Sequence, residues 1–431
     1  MTPSSISRLQ LWWSKARTSF GWIVLLAFAL RFAYILIAHT YALHTRHAPG
    51  MDSNFSFGWE MGRVGRSLAA GDGFASPFNS PSGLTAWEPP LYPYLIAWVF
   101  KAFGIYSKSS AFVLLTLNSS FSALTCIPIF FIARRCFSEK VAVWSAWTWA
   151  LLPSVLYWCT RWVWETSLAA FLLALLFWLA LSMEDRDGLL PWIKFGALWG
   201  IAALVNTSLL GFLPAGGLWI WYRRHKDGKR SLAGVVLASL IFATCLTPWL
   251  LRNYQAFGRF IFIRSNFGAE LRMGNGPGAN GTWMEYLHPT ENVLAMRRYR
   301  ELGEIAYVAE RKREAVEFIR ADYGRFARLS LARLIYYWAG IPKPSENAAL
   351  APFQNSLYLA SSVLALWGLG RALRRHQPGA WLFFWLVVSY PAIFYFVFPL
   401  PRYRHPIEAE LLILMVYVIS QARTKKHVAA D

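Results

Sequence analysis

The chain has 431 residues, of which 56% are hydrophobic, 17% are aromatic and only 15% are charged. Soluble domains carry roughly 25% charged residues, so this composition excludes an ordinary soluble fold and indicates a membrane protein. The formal net charge of +20 comes without a nucleic-acid recognition motif, and many of the basic residues fall in short connections between apolar blocks. We therefore attribute the charge to membrane topology and lipid headgroups, and we expect no nucleic-acid partner.

Apolar blocks along the chain predict an all-α polytopic membrane protein with about ten membrane-spanning helices. The first block, at about 20–40, follows Arg8, Lys15 and Arg17 and lacks a cleavage site of small residues, which predicts an uncleaved signal anchor. The remaining predicted spans lie at roughly 109–132, 141–158, 163–182, 189–205, 207–222, 231–250, 353–372, 380–399 and 407–421. An even number of spans places both termini in the cytoplasm. The basic cluster at 223–230 supports this orientation, whereas the acidic stretch at 184–187 does not.

Two long segments, 41–108 and 251–352, are predicted to lie outside the membrane on the periplasmic side. We therefore divide the chain into a transmembrane catalytic domain (1–250, with the first outer segment), the second outer segment (251–352) and the C-terminal transmembrane helices (353–431). Within the second outer segment, apolar residues recur every three or four positions from Val293 to Phe326. This spacing predicts one or two amphipathic helices that lie on the surface.

Ionisable residues from separate connections gather at the predicted outer boundary of the membrane. They are Asp52, Glu88, Glu165, Arg402, Arg404 and His405. A single such residue is equally well explained as a side chain that extends to the interface. Several charges on one face of the membrane instead indicate a functional site, because buried charge is costly unless it is paired or hydrated.

Carboxylates beside arginines suit the transfer of a sugar from a polyprenyl phosphate. A carboxylate can accept or orient the proton of an attacking hydroxyl group, while guanidinium groups hold the phosphate of the leaving group. A single displacement would invert the configuration at the sugar carbon. The alternatives are a lipid-sugar flippase that catalyses no reaction and a non-catalytic scaffold. A flippase would need charged residues along the whole depth of the membrane and, commonly, two similar halves.

Five features in chain order resemble those of one known family. They are Asp52 after the first span, "EPPLYPYLIA" from Glu88, Glu165 at the start of a span, "TPWLLRNYQAFGRFIFIRSNFGAELRMGN" at 247–275, and "RYRHPIE" from Arg402. The chain is similar to bacterial membrane glycosyltransferases with the GT-C fold, in the group of the protein O-mannosyltransferases and the lipid A aminoarabinose transferase (family 39).

The resemblance implies roles for particular residues. Asp52 corresponds to the catalytic acidic residue of the first outer segment, as base or acceptor-orienting group, and Glu165 is a second catalytic candidate. At Glu88 some relatives carry Lys and others His, so we expect Glu88 to contact hydroxyl groups or to share a cation with Asp52. Arg402 and Arg404 would then hold the donor phosphate, with His405 beside them.

The second outer segment adds candidate binding residues around the glycine-rich sequence "GNGPGANG". They are Arg252, Asn266, Glu270, Asn275 and His288. This segment is either a lid or acceptor surface, or an ordinary surface loop, and it lacks the Lys-Ser/Thr ending of a phosphate-binding P-loop. Of these residues we select Arg252 and Asn266 as substrate-binding candidates.

The resemblance also implies the partners and the location. We expect a polyprenyl-phosphate sugar as donor, a lipid, polysaccharide or protein as acceptor, and a site on the periplasmic face of the bacterial inner membrane. The resemblance implies no cofactor. Dependence on a divalent cation stays open, because relatives with this architecture differ in it.

Overall fold

The computed structural model describes residues 19–43, 46–48, 51–342 and 350–428, with side chains described for 19–43, 54–342 and 353–421. Within these ranges nearly all of the regular secondary structure is helical, which confirms the predicted all-helical membrane fold. One small hairpin was not predicted: strands β1 (Arg46–Ala48) and β2 (Met51–Ser53) pair antiparallel.

The first half of the chain forms eleven helices and two short 3-10 turns in the described residues. They are α1 (Phe20–Ile37), a 3-10 turn (Phe55–Phe57), α2 (Glu60–Ala70), α3 (Leu91–Phe103), α4 (Lys108–Leu124), α5 (Cys126–Cys136), α6 (Glu139–Leu151), α7 (Pro153–Arg161), α8 (Thr166–Ser182), α9 (Leu190–Val205), a 3-10 turn (Thr207–Gly211), α10 (Leu213–Lys226) and α11 (Leu232–Phe257).

The second half begins with the second predicted outer segment and ends with the C-terminal helices. Its elements are α12 (Phe267–Gly274), a 3-10 turn (Glu285–Leu287), α13 (Val293–Leu302), α14 (Glu304–Ala321), α15 (Tyr323–Ala339), α16 (Leu350–Arg374), α17 (Ala380–Ser389), α18 (Ala392–Phe396), α19 (Pro401–Arg404), a 3-10 turn (His405–Ile407) and α20 (Glu408–Val428). The amphipathic stretch thus forms three helices, separated at Gly303 and at Asp322, which caps α15 by accepting from the Arg325 N–H at 2.7 Å.

By length and composition, four helical stretches among the described residues can cross a membrane: Phe20–Ile37, Lys108–Cys136, Leu232–Phe257 and Phe353–Arg374. Shorter apolar helices accompany them at Leu91–Phe103, Thr166–Ser182, Leu190–Val205 and Ala380–Phe396. Of these, α3 lies inside the first predicted outer segment. With 13 residues it reaches about 20 Å, less than the ~30 Å of a hydrocarbon core.

Helix α2 packs tightly on α3, and this contact positions the start of α2. A Cβ atom added at Gly65 would lie 2.6 Å from Cγ2 of Ile96 on α3, and one at Gly62 would lie 1.9 Å from the carbonyl oxygen of Phe57. Gly65 therefore allows α2 to pack closely on α3, and Gly62 allows the preceding 3-10 turn to pack closely on α2, where a larger residue would clash. The acidic Glu60 occupies the first turn of α2, where the helix dipole favours negative charge.

Candidate functional site

Two adjacent cavities lie where the outer segments meet the helix ends. The first, which we call the carboxylate cavity, has a volume of about 320 Å³ and includes Glu88, Glu165, Arg264 and Asn266 in its lining. The second, the tryptophan cavity, has a volume of about 200 Å³ and is lined by Trp59, Trp158, Trp162, Trp164 and Trp283 among others. Both cavities are also lined by Glu60, Trp164, Glu270, Arg402 and Tyr403. These shared residues form the wall between the two spaces.

Glu88 is held at the edge of the carboxylate cavity by the residues on both sides of it. Pro89 and Pro90 follow it directly, and α3 begins at Leu91, because prolines lack the N–H groups that a helix start leaves unpaired. Its Oε1 atom accepts a hydrogen bond from Arg264 Nη2 at 3.3 Å. Its Oε2 atom is buried without a partner, so one carboxylate oxygen of this 5%-exposed residue is available to a ligand.

A clamp between the two outer segments fixes the loop that carries Glu88. The buried carboxylate of Glu304 accepts hydrogen bonds from the Ala86 N–H at 2.7 Å and from Ser265 Oγ at 2.6 Å. It also accepts from the Tyr299 hydroxyl at 2.8 Å and from the hydroxyl of Thr85. A carboxylate with this many donors ties the loop to α13 and α14 through charge-assisted bonds.

Arg252 belongs to the same clamp and not to the lining of either cavity. Its guanidinium donates to the carbonyl oxygens of Thr85 at 2.6 Å and Phe74 at 2.8 Å, and it lies 4.8 Å from the centre of the Trp249 ring. The structure therefore places this predicted binding residue behind the loop, where it supports the position of Glu88.

Glu165, a predicted catalytic candidate, and Asn266, a predicted substrate-binding candidate, both line the carboxylate cavity. Glu165 precedes α8, and its Oε1 atom accepts from Asn206 Nδ2 at 3.1 Å while its Oε2 atom is buried without a partner. Asn266 precedes α12 and donates from Nδ2 to Oε1 of Glu270 at 3.0 Å. Asn266, a predicted residue, is thus linked across the first turn of α12 to Glu270 in the shared wall.

Glu60 is joined to His288 across the two outer segments. The Thr290 N–H donates to His288 Nδ1 at 3.1 Å, so Nδ1 carries a lone pair and, in the neutral ring, the proton lies on Nε2. Nε2 then donates to Glu60 Oε1, at 3.1 Å. The His288 ring stacks on Trp59 with centroids 4.5 Å apart. Trp59 itself has a φ of 47°, a strained conformation for a bulky residue that surrounding contacts must maintain.

The carboxyl groups of the cavity differ in their affinity for protons. Burial raises the pKa of Glu60, but the hydrogen bond from His288 and the positive charges of Arg402 and Arg63 outweigh this effect and hold its pKa below the ordinary value. Glu60 is therefore ionised at neutral pH.

Burial acts in the opposite direction on its neighbours. It raises the pKa of Glu88 to about 8, since the nearby acidic groups Glu60, Glu165 and Glu270 add to burial and only Arg264 opposes it. Burial also raises the pKa of Glu270. One permanent anion thus lies beside Glu88, which keeps its proton near neutral pH, and beside Glu270, which binds a proton more tightly than an ordinary glutamate.

Arg402 is the cation on the shared wall. Its Cζ atom lies 3.5 Å from the centre of the Trp164 ring and 5.2 Å from that of Tyr403, so aromatic faces support the planar guanidinium. Its Nε atom is buried without a hydrogen-bond partner. Arg402 therefore presents a donor to both cavities.

Arg404 and His405, which the sequence grouped with Arg402, line neither cavity. Arg404 forms an ion pair with Glu408 at 2.9 Å and donates to the hydroxyl groups of Ser361 and Ser362, each at 2.7 Å. His405 is buried against Trp149, with ring centroids 5.7 Å apart. Because neither residue lines a cavity, we do not include Arg404 and His405 in the candidate site.

The prediction for Asp52 falls outside the described side chains. Its backbone lies in β2 opposite His47, eight residues before Glu60. Among the side chains that are described, no three His, Cys, Asp or Glu groups are arranged to hold a metal ion. A cation shared by Glu88 and Asp52 therefore remains a prediction.

Among the charged residues of the site, Glu60 and Arg264 were not named from the sequence at all. Both had a signal. Glu60 is an acidic residue shortly after Asp52 at the start of a helix, and Arg264 lies inside the 247–275 motif. Neither signal gives the tertiary contact that brings each side chain to the cavity.

Comparisons with known proteins support the resemblance. Residues 87–251 match the family described as dolichyl-phosphate-mannose-protein mannosyltransferase. No curated protein matches the chain. The structure is similar to the oligosaccharyltransferase AglB from Archaeoglobus fulgidus in complex with an inhibitory peptide and a dolichol-phosphate, with a TM-score of 0.52, 14% identity and coverage of 94% of this chain and 51% of that one.

Two further solved structures show the extent of the likeness. The apo form of the Archaeoglobus fulgidus oligosaccharyltransferase matches with a TM-score of 0.51, 14% identity and coverage of 95% of this chain and 51% of that one. ArnT from Cupriavidus metallidurans bound to undecaprenyl phosphate matches with a TM-score of 0.37, 12% identity and coverage of 96% and 80%. The chain spans about half the length of the archaeal proteins. This chain is thus a multi-pass membrane protein with the GT-C fold, and its residues 87–251 match the dolichyl-phosphate-mannose-protein mannosyltransferase family.

Proposed function

We propose that the chain is an inverting glycosyltransferase that moves a sugar from a polyprenyl phosphate to an acceptor hydroxyl group at the periplasmic face of the bacterial inner membrane. The observation that carries the proposal is the wall shared by the two cavities, where the ionised Glu60 lies near Arg402. One cavity can bind the donor and the other can bind the acceptor, so the reacting atoms would meet at this wall.

The carboxylate cavity suits the donor. Exposed apolar side chains, Phe262, Phe267 and Ile393, stand among its lining residues, and a prenyl chain in the bilayer would contact such side chains. Arg402 would bind the phosphate, because a guanidinium presents several donors to phosphate oxygens. Glu88 and Glu165 each have an oxygen free for sugar hydroxyl groups. AglB, which shares the fold, was solved with a dolichol-phosphate.

The low pKa of Glu60 bears on its role. A carboxylate with a lowered pKa is a weak base but a constant hydrogen-bond acceptor. We therefore assign Glu60 to orienting the acceptor hydroxyl, and we keep Asp52 as the base that the resemblance implies.

The reaction is then a single displacement. The acceptor oxygen forms a bond to the anomeric carbon as the bond from that carbon to the phosphate oxygen breaks, and the configuration inverts. The hydroxyl hydrogen, which Glu60 accepts while the acceptor binds, turns to Asp52 as the new bond forms, and the proton passes to Asp52. The polyprenyl phosphate leaves as an anion held by Arg402. Positive charge that develops on the sugar ring is stabilised by Glu60.

Mass spectrometry of envelope glycans and lipids from cells with and without the protein tests the proposal. We expect one sugar to be absent from one acceptor in the deletion strain, and its polyprenyl-phosphate form to accumulate. Complementation with wild type should restore the sugar, and complementation with Asp52→Asn should not. An unchanged set of glycans and lipids, or full restoration by Asp52→Asn, would contradict the proposal.

A further inference from the structure

The tryptophan cavity has the size and the walls of a site for one sugar ring. Its volume is about 200 Å³, below the roughly 300 Å³ at which pockets for drug-sized ligands begin. Five indole rings line it, together with Phe55 and Phe398. A ligand that fits this space must be compact and must offer flat apolar faces.

The aromatic rings brace one another and form fixed walls. Trp59 meets Trp283 at 86° with centroids 5.6 Å apart, and Phe55 meets Trp162 at 85° with centroids 5.2 Å apart. Such edge-to-face contacts are favourable in themselves. The faces of aromatic rings carry negative potential, which complements the weakly positive C–H groups on the face of a pyranose.

Polar atoms stand at the edges of the same cavity. The indole N–H of Trp162 is buried without a hydrogen-bond partner, which is uncommon for a buried donor. At the shared wall stand the carboxylate of Glu60 and the guanidinium of Arg402. A sugar ring has the matching pattern, with apolar faces and hydroxyl groups around its edge.

We infer that the tryptophan cavity binds the acceptor and that the acceptor is a carbohydrate, such as the terminal sugar of a glycolipid or polysaccharide, rather than a serine or threonine of a protein. The inference rests on the proposed function for its direction of transfer. The sugar ring lies between the indole faces, one hydroxyl group accepts from the Trp162 N–H, and another reaches Glu60 at the wall. The donor carbon approaches that second hydroxyl group from the carboxylate cavity.

Binding can be measured without any donor, by saturation-transfer-difference NMR on the full-length protein in nanodiscs. The probes are the methyl glycosides of glucose, galactose, mannose and N-acetylglucosamine, and a serine- and threonine-containing peptide. We expect saturation of at least one glycoside and not of the peptide. Trp162→Phe keeps a ring but removes the N–H, and it should weaken binding of that glycoside about 5- to 10-fold, the loss of one hydrogen bond.

Two further variants keep the result interpretable if Trp162→Phe folds poorly. Trp283→Leu removes one face of the cavity and should weaken the same glycoside at least as much. Trp221→Phe is the matched control, because Trp221 lines neither cavity. It is 45% exposed and stacks on His225 near the C-terminal end of α10. The substitution should leave binding unchanged.

Several outcomes would overturn the inference: no saturation of any glycoside, saturation of the peptide alone, or equal effects of the Trp162 and Trp221 substitutions. These outcomes are distinct from failure of the proposed function. A protein that binds a glycoside in this cavity but leaves envelope glycans unchanged on deletion would retain the carbohydrate site and lose the transferase role. The converse result would retain the transferase and exclude a carbohydrate acceptor.

Discussion

Replacing Glu60 by Gln separates an orienting role from a base role at the shared wall. The glutamine oxygen can still accept from His288 Nε2, which lies 3.1 Å from Oε1 in the wild type. The amide then presents an NH₂ group to the cavity, so the acceptor hydroxyl loses an anionic acceptor. A hydrogen bond to a charged group contributes about 1.5–3 kcal/mol, and we expect kcat/KM to fall about 10- to 150-fold.

The assay is the rate of transfer as a function of pH, with the donor and acceptor identified from the envelope comparison. If Asp52 is the base, Asp52→Asn should lower the rate by about 10²- to 10⁴-fold and abolish the acid limb of the kcat/KM profile. Glu60→Gln should keep that limb. Glu285→Gln, which changes an exposed carboxylate on the second outer segment, is the control and should have the wild-type rate. Loss of the acid limb in Glu60→Gln, or an unchanged rate, would refute the assigned role.

Further substitutions probe the phosphate contact, the clamp and the pH response. Arg402→Ala should weaken binding of undecaprenyl phosphate about 10- to 100-fold. Arg404→Ala should leave that affinity unchanged in folded protein but lower the unfolding temperature, because breaking a buried ion pair costs about 3–5 kcal/mol. Equal affinities of the two variants for undecaprenyl phosphate would contradict the assignment of the phosphate contact to Arg402. Glu304→Gln should destabilise the protein by about 2–4 kcal/mol in thermal unfolding, since four donors lose a charged acceptor. Glu88 keeps its proton on folding up to about pH 8 while the unfolded chain releases it near 4.5, so its contribution to stability is lost as pH rises through this window. Glu88→Gln should therefore flatten the fall of unfolding temperature between pH 5 and 9, and an unchanged slope would contradict this.

The membrane fold could be predicted from the sequence because apolar blocks and amphipathic spacing are local patterns. The predicted spans at 109–132, 189–205 and 231–250 correspond to helical stretches of the structure, and only their ends differ. The short helix α3 was not predicted as a separate apolar helix, because its 13 residues are fewer than a spanning segment needs.

The grouping of Arg402 with Arg404 shows where sequence proximity misleads. Both lie in α19, and residues two apart on a helix point in nearly opposite directions, since each residue turns the helix by about 100°. Arg402 therefore faces the cavities while Arg404 packs on the serines of α16. This separation follows from helical geometry once the segment is known to be helical.

The partners of Glu88 and Glu60 could not be predicted in this way. Arg264 and His288 follow them by 176 and 228 residues respectively. Their approach depends on the clamp around Glu304 and on the close packing of α2 against α3. Those contacts are tertiary, and no local pattern in either segment encodes them.

The raised pKa of Glu88 connects the clamp with the proposed chemistry. An ionised carboxylate in this buried position would repel a phosphate held at Arg402, but a protonated Glu88 is neutral and can donate a hydrogen bond to a sugar or phosphate oxygen. The clamp holds the loop that carries Glu88 in place, and burial of Glu88 is the main cause of its raised pKa. Burial acts on Glu60 as well, but the hydrogen bond from His288 and the charge of Arg402 outweigh it and lower the pKa of Glu60. The cavity can therefore hold several acidic residues beside an anionic donor and still keep one carboxylate ionised where the acceptor hydroxyl must be oriented.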